Sequence, residues 1–185
     1  MYRVLITLIC LAAAGGLGYA ALSDRWLENP KPERRVSFSL LSSKICVGEA
    51  AAPTCESKSN SEMMAELAMQ NDKDASSAFA TAGMATLGFS LFSVLMMLLC
   101  AGYLVAQRRT SGPNGPQHLA LVALMLALIA ATVFVKTKPG GPTGVGAGPG
   151  FYVFAVACVL GIFATQLASK LIKPPDPDPS IDPML

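Results

Sequence analysis

Cysteine and histidine are the residue types in this chain that could carry out chemistry, and their positions limit what that chemistry can be. The chain has five cysteines and one histidine. Cys46 and Cys55 share one polar segment, where a disulfide would close a short loop in an oxidising compartment. Two free thiols in a cytoplasmic loop are the alternative. Cys10, Cys100 and Cys158 lie in apolar stretches, where we expect small packing residues.

The single histidine, His118, excludes several kinds of catalytic and cofactor site. Paired axial histidines for haem and a histidine-rich zinc site both need more than one imidazole. A Ser-His-Asp set cannot be assembled around a membrane interior that lacks aspartate. The Gly-rich segment 139–150 lacks the Lys-Ser/Thr that follows a phosphate-binding loop. We therefore expect a protein that is not an enzyme, with no cofactor and no metal site.

Four uncharged apolar stretches determine the class of protein. A hydrocarbon core about 30 Å thick is crossed by roughly 20 apolar helical residues. Only 14% of the residues are charged, against about 25% in a soluble domain, and the mean hydropathy is +0.49. The sequence therefore predicts four transmembrane helices, at about residues 4–22, 77–107, 119–135 and 151–169.

The first stretch has a second interpretation, as a secretory signal peptide with Arg3 as its basic start and a cleavage site at 21–23. Its apolar run is longer than that of a usual signal peptide, which favours a retained helix. Residues 1–173 then form the transmembrane domain, with an outer cap at residues 24–74. Residues 174–185 are rich in proline and aspartate, and we expect a disordered tail there.

Local patterns predict the structure of the loops. Residues 36–40 alternate apolar and polar side chains, as strands do. Residues 61–70 are helix-like, with Ser61 as a possible N-cap. The Gly- and Pro-rich loop 139–150 is predicted to hold no regular structure. The predicted fold class is an all-α membrane protein, a four-transmembrane-helix bundle with a small extracellular, strand-containing cap between helices 1 and 2.

Four spans place both termini on one side of the membrane, but the charges do not say clearly which side. Arg108, Arg109, Lys170 and Lys173 suit a cytoplasmic face. Residues 24–74 carry seven lysines and arginines, which weakens that assignment. We give the cysteine pair more weight than the charges. We therefore expect an integral membrane protein, in the plasma membrane, with both termini cytoplasmic.

Small residues recur at four-residue spacing in the predicted spans, which lets helix backbones approach closely. In the simpler interpretation these faces pack the four-helix bundle; in the other, one face docks a helix of another protein. Gln166, the notable polar residue in the spans, is expected to make an interhelical hydrogen bond. Trp26 lies near a helix end, where amphipathic aromatic side chains settle. The interface candidates are Ala12, Gly16, Ala20, Ala123, Ala127, Ala157, Gly161 and Trp26.

Several motifs occur in a familiar order. The first helix is followed by Asp24-Arg25-Trp26, and the outer segment holds Cys46 and Cys55 with eight residues between them. The long second helix ends in a basic pair, and the fourth begins with Gly150-Phe-Tyr-Val-Phe-Ala155. This combination resembles the claudin / peripheral myelin protein 22 / voltage-gated calcium channel gamma-subunit superfamily, which implies an outer sheet. The chain departs from the family pattern at residues 42–45, which lack the Gly-Leu-Trp that precedes the first cysteine.

These observations leave three functions open. The first is a non-enzymatic accessory or structural subunit of a larger membrane complex. The second is a claudin-like adhesion or paracellular barrier protein. The third is a small channel or transporter subunit, which is disfavoured because the spans carry no ionisable side chain. The expected partners are the lipid bilayer and other integral membrane proteins or further copies of this chain. The net charge of +2 gives no reason to expect nucleic acid.

Overall fold

Four of the helices in the structure, a computed structural model, are long and apolar enough to cross a membrane, as in an integral membrane protein. The structure describes residues 2–29, 34–47, 54–69, 76–106, 115–139 and 144–171. The four long helices are α1 (Tyr2–Leu22), α3 (Ser77–Val105), α4 (Pro116–Lys136) and α5 (Pro149–Leu171). The predicted tail at 174–185 lies outside the described residues.

The predicted spans are confirmed as helices, and their ends differ by a few residues. Both α4 and α5 begin at a proline, Pro116 and Pro149, before the predicted start. Proline suits the first helical position because its missing N–H has no partner there in any case. α3 has 29 residues, about 44 Å of helix, and therefore exceeds the hydrocarbon core.

The long helices form a ring. α1 packs against α3 and α5, while α4 packs closely against α3 and less extensively against α5. Small residues allow the close contacts, since a Cβ placed on Gly16 would lie 2.9 Å from the Cβ of Ala157. The bundle interior is therefore filled by short and apolar side chains from all four helices.

A five-stranded antiparallel sheet and one short helix stand at one end of the bundle. The strand order is β4-β3-β2-β1-β5. We call the sheet together with the short helix α2 the cap, and the bundle end that carries it the cap end. The elements of the cap are β1 (Leu27–Asn29), β2 (Arg34–Phe38), β3 (Ser42–Val47), β4 (Thr54–Ser59), α2 (Asn60–Met69) and β5 (Gly146–Ala147).

The fifth strand contradicts the prediction that the loop 139–150 holds no regular structure. β5 pairs with β1, and the N–H groups of Gly148 and Gly150 donate to the carbonyls of Trp26 and Arg25 at 2.8 and 3.0 Å. A Cβ on Gly148 would overlap the Arg25 carbonyl oxygen. Glycine therefore lets the two backbones approach, and the cap is built from two loops of the chain rather than one.

The predicted strand and helix inside the cap are both present, with shifted boundaries. β2 ends at Phe38, because the Ser39 side chain accepts a hydrogen bond from the Ser42 N–H at 2.8 Å and forms a turn. The N-cap of α2 is Ser59 rather than Ser61. The Ser59 Oγ accepts from the Glu62 N–H at 3.2 Å, and the Glu62 carboxylate accepts from the Ser59 N–H at 3.0 Å. This reciprocal capping box starts the helix earlier than predicted.

Candidate interaction surfaces

Trp26 joins the sheet to the helices. Its side chain is 0% exposed, and its indole Nε1 donates to the Ala20 carbonyl at the end of α1 at 2.5 Å. The ring lies 5.0 Å from Phe154 of α5 and 6.1 Å from Phe134 of α4. Trp26 therefore lies near the end of α1, as expected, but its ring turns into the protein. The side chain has its one donor satisfied and is enclosed by the chain's own helices.

The rings continue from Trp26 to the sheet. Phe79 of α3 stacks on Phe134 at 4.4 Å, and Phe38 of β2 meets Phe79 edge to face at 5.5 Å. We call Trp26, Phe38, Phe79, Phe134 and Phe154 the aromatic cluster. Because it joins α3, α4 and α5 to β2 and to the residue that precedes β1, the cluster holds the cap at one orientation on the bundle.

A disulfide joins Cys46 of β3 to Cys55 of β4, as predicted, and the two residues face each other across the sheet. Arg35 and Lys44 share this face, because side chains two residues apart in a strand point the same way and Arg35 lies opposite Cys46. Arg35, Lys44 and Cys55 are exposed. This outer face of the sheet is therefore polar and basic, and it is a candidate surface for recognition.

Ion pairs shape the edges of the cap. Lys58 bonds the carboxylates of Glu66 at 2.8 Å and Glu56 at 3.2 Å, which raises the pKa of Lys58. Arg25 lies 2.7 Å from Glu28, and this carboxylate raises the pKa of Arg25. Exposed pairs of this kind add little stability. Lys58 and Arg25 are thus paired with carboxylates, whereas Arg35 and Lys44 on the outer face form no ion pair with a described residue.

The bundle interior offers no charged group for transport or catalysis in the described part of the chain. The buried hydroxyls of its described helices each donate to a backbone carbonyl of their own helix, at 2.6 to 2.9 Å: those of Thr86, Ser90, Ser93 and Thr165. Cys10, Cys100 and Cys158 are buried free thiols. The described residues include no group of three or more His, Cys, Asp or Glu side chains that could hold a metal ion.

Most of the interface candidates lie inside the bundle. A Cβ on Gly161 would come within 2.9 Å of Leu124 and 3.0 Å of Met97, so this glycine belongs to the contact with α4 and α3. Ala12 is exposed and Gly16 is half-buried. The remaining candidates are buried against other elements of the same chain: Ala20, Ala123, Ala127, Ala157 and Trp26.

Ala12 and Gly16 border a shallow groove of about 310 Å³ between α1 and α5 on the outer surface of the bundle. Ala157 forms its floor, while Tyr152 and Val156 stand beside it on α5. The small residues of α1 thus let this helix pack closely against α5. Because their side chains are short, they also leave a shallow depression on the outer surface.

An outer stripe runs along α5 beside that groove. We use this name for Tyr152, Val156, Val159, Phe163 and Gln166, whose alternating spacing of four and three residues keeps them on one helix face. The four apolar members are each between 60% and 66% exposed. Gln166 is also exposed, and its side chain makes no hydrogen bond to another described helix of this chain, so the predicted interhelical bond is not formed within the chain. No sequence signal distinguished this face from the buried one, since both are apolar.

No family model matches the chain, and a search of curated proteins finds no similar sequence.

Proposed function

We propose that this chain is a non-enzymatic accessory subunit of a larger membrane complex and that it binds a helix of its partner along the outer stripe of α5. The observation that carries this proposal is the exposed side-chain amide of Gln166, which forms no hydrogen bond with any described residue. An amide moved from water into hydrocarbon without a partner costs several kcal/mol, about 2–7. A helix that presents such a group to lipid gains free energy when another helix supplies the bond.

Two other exposed polar side chains of the spans, Thr81 on α3 and Thr132 on α4, differ from Gln166. Thr81 donates to the Ser77 carbonyl at 3.2 Å, and Thr132 donates to the Leu128 carbonyl at 2.8 Å. Each hydroxyl is therefore hydrogen-bonded within its own helix, so that its exposure to lipid costs little free energy. The outward amide of Gln166 marks α5 as the span with an unmet bond on the bilayer side.

The cap fits the role of an accessory subunit because its position on the bundle is fixed. A partner held at α5 would therefore approach a bundle whose cap, with Arg35, Lys44 and the Cys46–Cys55 disulfide on its outer face, has one fixed orientation. We propose that the cap is extracellular, since disulfides persist in oxidising compartments, and that both termini are cytoplasmic in a plasma-membrane protein.

Copurification tests the proposal directly. The full chain, extracted from its native membrane in mild detergent, is expected to bring along a larger membrane protein at fixed stoichiometry. Gln166→Leu should lower the recovered partner by about three- to thirtyfold, given about 0.6–2 kcal/mol for an interhelical hydrogen bond. Thr132→Val removes an exposed polar group on α4 and should leave recovery unchanged.

Two results would contradict the proposal that this chain is an accessory subunit whose partner binds along α5. One is equal recovery of the partner with Gln166→Leu and with wild type. The other is the isolation of nothing but copies of this chain, which would favour self-assembly instead.

The second candidate is a claudin-like adhesion protein, which the resemblance in sequence suggests. The exposed, disulfide-tied sheet face with Arg35 and Lys44 favours it, because such a face could meet an acidic surface on an opposing cell. Cells that express the chain would then gather it at their contacts, and Arg35→Glu with Lys44→Glu would abolish that gathering. Uniform distribution over the cell surface would exclude this function.

A further inference from the structure

At the end of the bundle opposite the cap, α1 and α3 border an apolar groove of about 260 Å³. The first two turns of α1 form one wall and the last turn of α3 forms the other. The groove is open to its surroundings and lies in the terminal turns of two membrane spans, where acyl chains meet lipid headgroups. Its lining residues are Arg3, Val4, Thr7, Leu8, Leu104 and Val105.

Arg3 is the charged group of this groove. The Thr7 hydroxyl donates to the Arg3 backbone carbonyl at 2.9 Å, so the one hydroxyl of the lining is already bonded. The Arg3 guanidinium is exposed and makes no hydrogen bond or ion pair with any described residue. Five N–H donors in a planar fork are thus left at the mouth of an apolar groove, a geometry that suits a phosphate.

No carboxylate in the described part of the chain competes for Arg3. The carboxylates there belong to Asp24, Glu28, Glu56, Glu62 and Glu66, all between α1 and α3 on the cap side. In the described part of the chain, the charged side chains at this end are those of Arg3 and of Lys170 in the last turn of α5, and both are cationic. The charge at this end of the bundle therefore favours an anion.

We infer that the groove binds one phospholipid with an acidic headgroup, whose phosphate meets Arg3 and whose acyl chain lies between α1 and α3. The occupant must combine an apolar tail with an anionic head, because the lining is apolar along its length and cationic at its mouth. Basic pockets between spans are known to take anionic headgroups. This site is on α1 and α3 and does not depend on any partner at α5.

The proposal is tested by measuring which phospholipid the protein retains after extraction. The full chain is reconstituted in vesicles of equal phosphatidylcholine and phosphatidylserine, released in mild detergent, and weighed by native mass spectrometry. Wild type is expected to retain one phosphatidylserine in preference to phosphatidylcholine. Arg3→Gln should lower that preference about fivefold, which corresponds to about 1 kcal/mol for one basic residue near an anionic lipid.

Two further variants separate the groove from general attraction by a basic surface. Lys170→Gln removes one charge at the same end but outside the groove, and it should leave retention unchanged. Thr7→Phe keeps every charge but fills the groove, and it should lower retention as much as Arg3→Gln does.

Three results would overturn the inference: equal retention of both lipids by wild type, an equal loss with Lys170→Gln and Arg3→Gln, or undiminished retention by Thr7→Phe. The assay contains no partner protein. Its outcome is therefore independent of whether α5 docks another helix.

Discussion

At the cap end of the bundle, aromatic rings join the sheet to three helices, whereas at the opposite end α1 and α3 border an open groove. Trp26 and Phe134 are fully enclosed at the cap end, while Arg3 faces outward at the other. Large rings with satisfied donors resist rearrangement, because any movement opens a cavity. An open groove with a free cation can instead accept a ligand. The comparison indicates that one end fixes the geometry of the protein and the other end meets its surroundings.

The largest effect is expected from removing the centre of the aromatic cluster. Trp26→Ala deletes a side chain that is 0% exposed, together with its bond to Ala20. Large-to-small substitutions at such sites cost about 3–5 kcal/mol. Thermal unfolding in detergent should show a large drop in Tm. Tyr19→Ala removes a ring that is 60% exposed at the same end and should change Tm little. Equal losses for both would contradict the claim that the buried aromatic cluster holds the cap end rigid.

Loss of the disulfide is expected to have the next largest effect. Cys46 and Cys55 are nine residues apart in sequence, and closing a loop of about that length stabilises the folded state by about 2–3 kcal/mol. Cys46→Ser with Cys55→Ser should therefore lower Tm. Hydrogen exchange should quicken in β3 and β4 but stay slow in the four long helices. A uniform rise in exchange rate throughout the cap and the four long helices would mean that they unfold as one unit. It would contradict a distinct, rigid junction at the cap end.

A single methyl group tests how tightly the cap is seated. Gly83 of α3 lies under the β2–β3 turn, and a Cβ there would overlap the Leu40 carbonyl oxygen and lie 3.2 Å from the Phe134 ring. Gly83→Ala should destabilise the fold by about 1–3 kcal/mol. Gly88→Ala is the matched control on the same helix, because no other side chain or backbone lies within 4 Å of its Cβ position. Unchanged stability of Gly83→Ala would show that the contact between the cap and α3 can rearrange to accommodate the methyl group.

The smallest effect concerns α2, at the edge of the cap. The backbone N–H and hydroxyl of Ser59 bond the Glu62 carboxylate and lower its pKa. A lowered pKa means that this stabilisation is present above the ordinary glutamate range and is lost as pH falls through the pKa of the folded state. The protection of amides in the first turn of α2, measured relative to their intrinsic exchange rate at each pH, should fall on acidification. Glu62→Gln, which has no titrating carboxylate, should remove that pH dependence, and an unchanged profile would contradict the capping box.

Local signals carried the parts of the structure that the sequence predicts well. Hydropathy located the four spans, since a long apolar run has few alternatives to a membrane helix. Cys46 and Cys55 were paired correctly because no other cysteines lie outside the spans. The cap of α2 was also readable, because Ser59 and Glu62 have the spacing of a capping box. The prediction placed the N-cap at Ser61 instead of Ser59.

Contacts between distant segments are what the sequence could not predict. β5 forms because Gly148 and Gly150 reach the backbone that follows α1, more than a hundred residues earlier in the chain. Phe79 and Phe134 belong to spans that are apolar on every side, so periodicity does not say which face turns inward. For the same reason the sequence does not show that the Gln166 side chain faces outward.

Photo-cross-linking from two equally exposed positions tests the proposed docking most directly. Val159 on the outer stripe of α5 and Ile129 on α4 are both 60% exposed. A photoreactive amino acid at either position, irradiated in the native membrane, samples whatever covers that helix. We expect Val159 to give one discrete adduct with a larger membrane protein and Ile129 to give lipid adducts. Equal patterns from both positions, or adducts at Val159 with lipid alone, would contradict docking at α5.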